Sequence, residues 1–366
     1  MNSYPLETEC KHELVFAEVP QSPCVLSGLP FFESERVFCR VPQASLQELT
    51  AGVAYRSWQM SGVQLRFRTN SSVIAIHVEL KELIPYVHMP FTGTSGFDLY
   101  VGVGRSKTFL RQAVPIYNET AYTSVLMDLD ALPKSFAARP ELQCISGTDL
   151  REFTLFFPLY NGIKKLELGL VAGASLEAPA PFAIEKPVLI YGSSITQGCC
   201  CSRPGNSSVN HLSRKLDANF INYGFHGSAV GDAGIARVIA SIDNLSAFIM
   251  DYDWNALTPE ELLEHHEPFF RIVREKHPDI PVLMLSRPNV KYDRLDAARR
   301  REVIYRTYDN AVKGGDRNVY FVDGVRMFGD SDRDACTEDT IHPNDIGYLR
   351  IANTLAPILQ QILFRG

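Results

Sequence analysis

Between residues 63 and 80 the chain alternates apolar and polar side chains with a period of two. Val63, Leu65 and Phe67 take turns with Gln64, Arg66 and Arg68, and the turn-forming run Thr69-Asn70-Ser71-Ser72 follows. Ile74, Ile76, Val78 and Leu80 then alternate with Ala75, His77 and Glu79. Successive side chains of a strand point to opposite faces, so the pattern predicts paired strands with one face in a core. Residues 96–103 and 153–159 read as further strands, and Asn161-Gly162 is a tight-turn signal before another over 163–171. Few helical patterns interrupt them. The first half therefore reads as an antiparallel β-sandwich or jelly-roll-like module.

Between Ala172 and Pro187 the composition shifts to Gly173-Ala174-Ser175 and Ala178-Pro179-Ala180-Pro181, which predicts a linker and domains over 1–178 and 179–366. Beyond it, short apolar runs at 188–191, 220–223, 247–250, 282–285 and 319–322 alternate with long amphipathic stretches. Thr258-Pro259-Glu260-Glu261 is a capping box with proline at the first helical position, opening a helix to about His277. A second helix is expected from Asp293 to about Lys313, ended by Gly314-Gly315, and a closing helix from Asp345. Repeated βα units of this kind predict an α/β fold, a parallel sheet covered by helices on both faces. No internal repeat or low-complexity tract is visible.

Composition narrows the function. A chain of 366 residues fits two domains at roughly 150 residues each, and a hydrophobic fraction of 45% supports a buried core. With a net charge of -6 there is no general cationic field for phosphate backbones, so no nucleic-acid partner is expected. No segment approaches the ~18 uninterrupted apolar residues of a membrane span, and no membrane partner is expected. The start lacks a basic segment followed by an apolar one, which points to a cytoplasmic protein, although a processed secreted chain would look the same. Cys199, Cys200 and Cys201 are consecutive, and Cys10, Cys24, Cys39, Cys144 and Cys336 are scattered without metal-ligand spacing. They read as structural or incidental thiols in a reducing compartment, with no metal and no cofactor expected.

In open parallel sheets ligands bind beyond the carboxyl ends of the strands. After the first predicted strand comes Gly192-Ser193-Ser194-Ile195-Thr196-Gln197-Gly198, and after the second Gly224-Phe225-His226-Gly227-Ser228. After the third comes Asp251-Tyr252-Asp253-Trp254-Asn255-Ala256, and near the C-terminus Asp339-Thr340-Ile341-His342-Pro343-Asn344. Together they supply what acyl transfer needs: a hydroxyl, a backbone amide at a glycine, a carboxamide, and a carboxylate with an imidazole.

These four blocks, in this order, resemble those of the SGNH (GDSL-type) hydrolase superfamily. The strings Gly192–Gly198 and Ser202-Arg203-Pro204-Gly205, with Gly96-Phe97-Asp98-Leu99-Tyr100, resemble a bacterial branch carrying an extra N-terminal G-x-D-L-Y-type β domain. The resemblance implies a three-layer α/β/α, flavodoxin-like catalytic domain behind the β module. It implies Ser194 as nucleophile, His342 as general base and Asp339 as the group that orients its ring. The oxyanion donors it implies are the backbone N–H groups of Ser194 and Gly227 and the side-chain amide of Asn255. Ser193 stands where the superfamily usually has aspartate, and Asp253 where it usually has glycine. Ser193 as nucleophile, Asp334 or Glu338 in place of Asp339, and a main-chain carbonyl orienting the ring remain alternatives.

Other features read as bland. Gly102-Val103-Gly104-Arg105-Ser106-Lys107-Thr108 lacks the glycine a phosphate loop needs before its lysine. His265-His266 lacks an i,i+4 partner and reads as a solvated face, and Asp98 reads as structural, in a strand turn or facing the domain boundary. The expected activity is a metal-independent serine esterase working through an acyl-enzyme on short, acetyl-type esters of a carbohydrate or polyol, its partner being a small-molecule or oligosaccharide substrate. A lipase or thioesterase of the same fold is the enzymatic alternative, and a non-catalytic glycan-binding protein the other. Oligomeric state is not readable.

Overall fold

The computed structural model describes residues 11–131, 140–142, 147–288 and 296–364; Cys10, Cys144 and Asp293 lie outside them. The N-terminal half builds two antiparallel sheets. One orders β1 (Leu14–Glu18), β9 (Ile163–Val171), β4 (Val73–Leu80) and β7 (Ala121–Asp128). The other orders β10 (Leu176–Glu177), β3 (Gln64–Thr69), β8 (Arg151–Phe156), β5 (Phe97–Val101) and β6 (Thr108–Ala113), with β2 (Val25–Ser27) also on β3. Leu65 and Phe67 of β3 meet Ile74, Ile76 and Val78 of β4 and Leu166 and Leu168 of β9 in one core, which makes the module a sandwich.

The polar positions of β3 are buried too. Gln64 and Arg66 are almost wholly enclosed, with Gln64 Nε2 donating to Ser213 Oγ at 3.0 Å and Arg66 Nη1 to the Ala180 carbonyl at 2.9 Å. This face is covered by the second half of the chain, and side chains that look solvated in the alternation are hydrogen-bonded across a boundary instead.

That second half is a five-stranded parallel sheet, ordered β12 (Ala218–Gly224), β11 (Ile184–Gly192), β13 (Ala247–Asp251), β14 (Val282–Leu285) and β15 (Val319–Val322). Its helices, among them Ser208–Leu216, Ala233–Ala240, Pro259–Lys276, Ala297–Lys313 and Asp345–Leu363, divide into two cores that take up alternate residues of β11: Leu189 and Tyr191 on one face, Val188 and Ile190 on the other. The N-cap half of the capping box is formed, Thr258 Oγ1 accepting from the Glu261 N–H at 3.2 Å, while the Glu261 carboxylate accepts from the Leu257 N–H. The 2-1-3-4-5 strand order places a switch point between β11 and β13, where ligands bind in doubly wound sheets.

The segment 172–187 is tied down: β10 pairs with β3, and the Ala180 N–H donates to Glu152 at 2.8 Å. Across the boundary, Cys39, Val41, Leu49 and Val53 pack in the same core as Leu189, Tyr191, Phe225 and Ile239. One expectation is corrected by packing. His266 is not solvated; it is 1% exposed, its Nδ1 is 2.8 Å from Thr307 Oγ1, and burial lowers its pKa to about 3. The Gly102–Thr108 loop also has a structural task, since the buried Lys107 Nζ reaches Asp217 Oδ1 at 3.5 Å.

Candidate active site

Strand β11 delivers the chain to Gly192, where a Cβ would stand 1.9 Å from Thr196 Oγ1, so only glycine allows the chain to turn back this tightly. Ser193, buried, caps the short helix Ser194–Gln197: its Oγ accepts from the Ile195 N–H at 3.2 Å. Ser193 is therefore committed to the backbone, while Ser194 is half-buried with its N–H at the first helical position, where no intrahelical acceptor exists.

Side chains from both halves of the protein hold this turn. Gln197, fully buried, donates from Nε2 to Gln59 Oε1 at 2.7 Å and to the Leu159 carbonyl at 3.0 Å. Its Oε1 accepts from the His226 N–H at 2.9 Å, and its carbonyl accepts from Ser61 Oγ at 2.6 Å. Thr196 Oγ1 donates to Asp251 Oδ2 at 2.7 Å, and the Thr196 carbonyl accepts from Asn222 Nδ2 at 2.9 Å. Burial raises the Asp251 carboxyl to about 7, the Thr196 hydroxyl working against it and Asp253 with it.

The imidazole comes from the other end of the chain. Asp339–Pro343 forms a turn, with Thr340 at φ +70°, just ahead of the helix Asp345–Leu363 that Asn344 caps. Asp339 Oδ1 accepts from the N–H groups of Ile341 and His342 at 2.9 and 2.7 Å, and Oδ2 lies 2.7 Å from His342 Nδ1. Burial pushes the Asp339 carboxyl up, but these backbone donors and the ring outweigh it and hold it below the usual carboxylate value. On the far side of the ring, Nε2 is 3.0 Å from Ser194 Oγ. A carboxylate, an imidazole and a hydroxyl thus stand in one hydrogen-bonded line, a geometry that can draw a proton from the hydroxyl. Of the two other local carboxylates, Asp334 lies in a separate 3₁₀ turn, and Glu338 meets His342 through main chain, its N–H donating to the His342 carbonyl at 3.0 Å.

The remaining two positions lie at the ends of β12 and β13. Gly227 is exposed with φ +63°. The path to it is set by Arg40, fully buried, which donates to the Asn222 and Gly224 carbonyls at 2.7 and 2.9 Å and lies 4.5 Å from the Phe225 ring centre. Asn255 Oδ1 accepts from the Ala229 N–H at 3.3 Å, which turns the amide so that Nδ2 is the end open to a ligand. Its loop is clamped by two arginines: Arg287 Nε is 3.1 Å from Asp253 Oδ2, and Arg300 Nη1 donates to the carbonyls of Asp253 and Ala256 at 2.7 and 2.8 Å. The carboxylate standing where a glycine was expected is thereby paired.

Residues that the strand-end motifs did not include come from the sandwich module. Tyr86 and Tyr160 pack on the His226 ring, at 5.7 and 4.9 Å between ring centres, and His88 stacks on the His342 ring at 5.7 Å. Burial, then Arg56, Arg40 and His342, lower the His226 pKa to about 3, so it stays neutral. The one local signal for this segment is Pro85-Tyr86-Val87-His88-Met89-Pro90, rings bracketed by prolines just after β4. The cysteines are a further departure: Cys199 and Cys200, both buried, stand with His88 and His342 so that one ligand atom of each lies within 4.8 Å of the others. A separate cavity of 510 Å³, lined by Val19, Phe38, Trp58 and Lys81, lies on the module and does not include Ser194 or His342.

Comparison with known proteins bears on the family and the fold. Residues 185–360 match the GDSL-like Lipase/Acylhydrolase family, and residues 14–176 match the N-terminus of Esterase_SGNH_hydro-type proteins. No curated protein matches the chain. Among solved structures, a protein from Bacteroides ovatus described as a GDSL-like lipase is 27% identical, covering 96% of this chain and 98% of its own, with a TM-score of 0.82. A salicylyl-acyltransferase from a tetracycline biosynthetic pathway is 19% identical over the same shares, with a TM-score of 0.75. A family two carbohydrate esterase from Cellvibrio japonicus is 13% identical, again over 96% and 98%, with a TM-score of 0.60. Among the described residues no helix is long and apolar enough to cross a membrane.

Proposed function

We propose that this chain, which belongs to the GDSL-like lipase/acylhydrolase family through residues 185–360 and carries the family's GxDLY-type N-terminal domain over 14–176, is a serine esterase that removes short acyl groups, acetyl above all, from a carbohydrate or polyol. Ser194 Oγ attacks the ester carbonyl as His342 Nε2 takes its proton, and Asp339 keeps the ring in the tautomer that can accept it. Charge gathers on the carbonyl oxygen, toward which the N–H groups of Ser194 and Gly227 and Asn255 Nδ2 can be directed. His342 returns the proton to the leaving alcohol, and water then repeats the sequence on the acyl-enzyme.

The observation that carries this reading is the unbroken contact line Asp339–His342–Ser194, 2.7 and 3.0 Å, at the switch-point edge of the parallel sheet. The preference for a sugar alcohol is supported by the full-length likeness to a family two carbohydrate esterase and by the rings that the sandwich module brings to the site, since apolar ring faces suit pyranose faces.

Hydrolysis of p-nitrophenyl acetate tests the chemistry: Ser194→Ala should lower kcat by about 10⁵–10⁶ with the fold retained. Equal rates in the variant and the parent protein would remove Ser194 from its role. Acyl-chain dependence tests the substrate class, because rates climbing from acetate toward octanoate would favour a lipase over a deacetylase.

A further inference from the structure

The pair of buried thiols beside the imidazole has no task in that chemistry, yet its geometry is specific. Cys199 Sγ lies 3.6 Å from Cys200 Sγ and 3.5 Å from His88 Nε2. A tetrahedral zinc with bonds of about 2.3 Å to sulfur and 2.0–2.1 Å to nitrogen spaces its ligands about 3.3–3.8 Å apart, so both contacts already fit such a site. The fourth donor, His342, is within 4.8 Å of the rest, a gap that a side-chain movement of about 1 Å closes. Cys200 holds a positive φ of 66°, which brings consecutive cysteines to one side of the loop, and the stacking of His88 on His342 brings the two imidazoles together.

We infer that Cys199, Cys200, His88 and His342 form an inhibitory site for a thiophilic d¹⁰ cation, zinc or cadmium, that captures the proposed catalytic imidazole. The set is two thiols and two imidazoles, the composition of a closed structural zinc site, drawn from a loop of the sandwich module, the turn after Ser194 and the C-terminal turn. Binding is ligand exchange without redox: the two thiols release their protons to solvent, the imidazoles bind neutral, and two thiolates balance the dication. His342 has no idle nitrogen to give, since Nδ1 faces Asp339 and Nε2 faces Ser194. Donation from Nε2 keeps the Asp339 contact as a carboxylate–histidine–metal arrangement and takes the base away from the hydroxyl. Inhibition rests on the esterase reading, whereas metal binding does not.

The test uses the full-length, reduced protein and cadmium or zinc salts alone. One equivalent of Cd²⁺ should raise a thiolate-to-cadmium charge-transfer band, equally in Ser194→Ala, and Cys200→Ser should abolish it. His88→Ala, changing an exposed ring, should weaken Cd²⁺ binding by about 10-fold or more. One equivalent of Zn²⁺ should suppress p-nitrophenyl acetate hydrolysis and a chelator restore it, each variant being read against its own metal-free rate. No band in the parent protein, a band that survives Cys200→Ser, or zinc sensitivity unchanged in His88→Ala would overturn the site. A cadmium band in a chain that hydrolyses no ester upholds the site and defeats only the esterase reading.

Discussion

The two loops that meet at the site are built differently. The Ser194 turn is over-determined: Ser193 caps it, buried Gln197 ties it to Gln59, Ser61 and Leu159, and Thr196 ties it to Asp251 and Asn222. The Asp339–His342 turn is held mainly by its own backbone donors, and the Asp339 side chain is 41% exposed against 21% for His342. Each cross-tie of the first loop is a buried hydrogen bond whose loss leaves an unpaired partner, whereas the second can exchange its contacts with water. The hydroxyl is therefore fixed by the tertiary structure and the imidazole by a local turn. Damage to the first loop should appear as instability, and damage to the second as lost turnover in a sound protein.

Asp339→Asn is the strongest probe of that contrast. Asparagine Oδ1 can still accept from the Ile341 and His342 N–H groups, so the turn should survive, but the second carboxylate oxygen that fixes the ring tautomer is gone. We expect kcat to fall by about 10³–10⁴ with little change in Tm; an equal loss of both would show that the turn needs the charge as well. Asn255→Ala removes a single oxyanion donor and should lower kcat by about 10²–10³ while KM barely moves, which steady-state kinetics separates.

Gln197→Ala is the mirror experiment. It strands the His226 N–H and the Leu159 carbonyl in the interior, and should cost about 1–3 kcal/mol in denaturant unfolding with a smaller effect on kcat in the folded fraction. An unchanged unfolding midpoint would deny the first loop its tertiary clamp. The smallest effect is a slope. Asp251 ionises at about 7 in the folded chain against 3.8 ordinarily, so between those values the folded state holds the extra proton. Stability contributed by that site falls as pH rises through the window and levels off above it. Asp251→Asn should flatten this part of the Tm–pH curve, and a parallel curve would assign the slope elsewhere.

The residues at the centre of both loops were legible in the sequence, whereas the contacts that hold them in place were not. Residues following an apolar strand run can be read in order, so Ser194, Gly227, Asn255, Asp339 and His342 could be named from strand ends and the family resemblance, their catalytic roles being part of the proposed function. Alternation located β3 and β4, because one face of each lies in the sandwich core, and the Asn161-Gly162 turn signal located β9. Strand β6, Thr-Phe-Leu-Arg-Gln-Ala, is half-buried along most of its length, and β7 carries Ala-Tyr-Thr-Ser-Val-Leu-Met-Asp, whose buried Thr123 and Ser124 break the apolar pattern. Contacts between distant segments left no local trace. Arg40 on β12, Gln59 on Gln197 and His88 on His342 join residues whose separation along the chain no periodicity records. The spacing of Cys199 and Cys200 likewise says nothing of the two imidazoles that stand beside them from other segments.

Cys39, Val41, Leu49 and Val53 emerge from the ribosome early, but the side chains they pack on, from Leu189 to Ile239, are synthesised much later. The nascent sandwich must keep a strip of apolar surface uncovered until the parallel sheet emerges, so the two halves mature as one cooperative unit. Cutting the gene at the apparent seam would yield two sticky fragments.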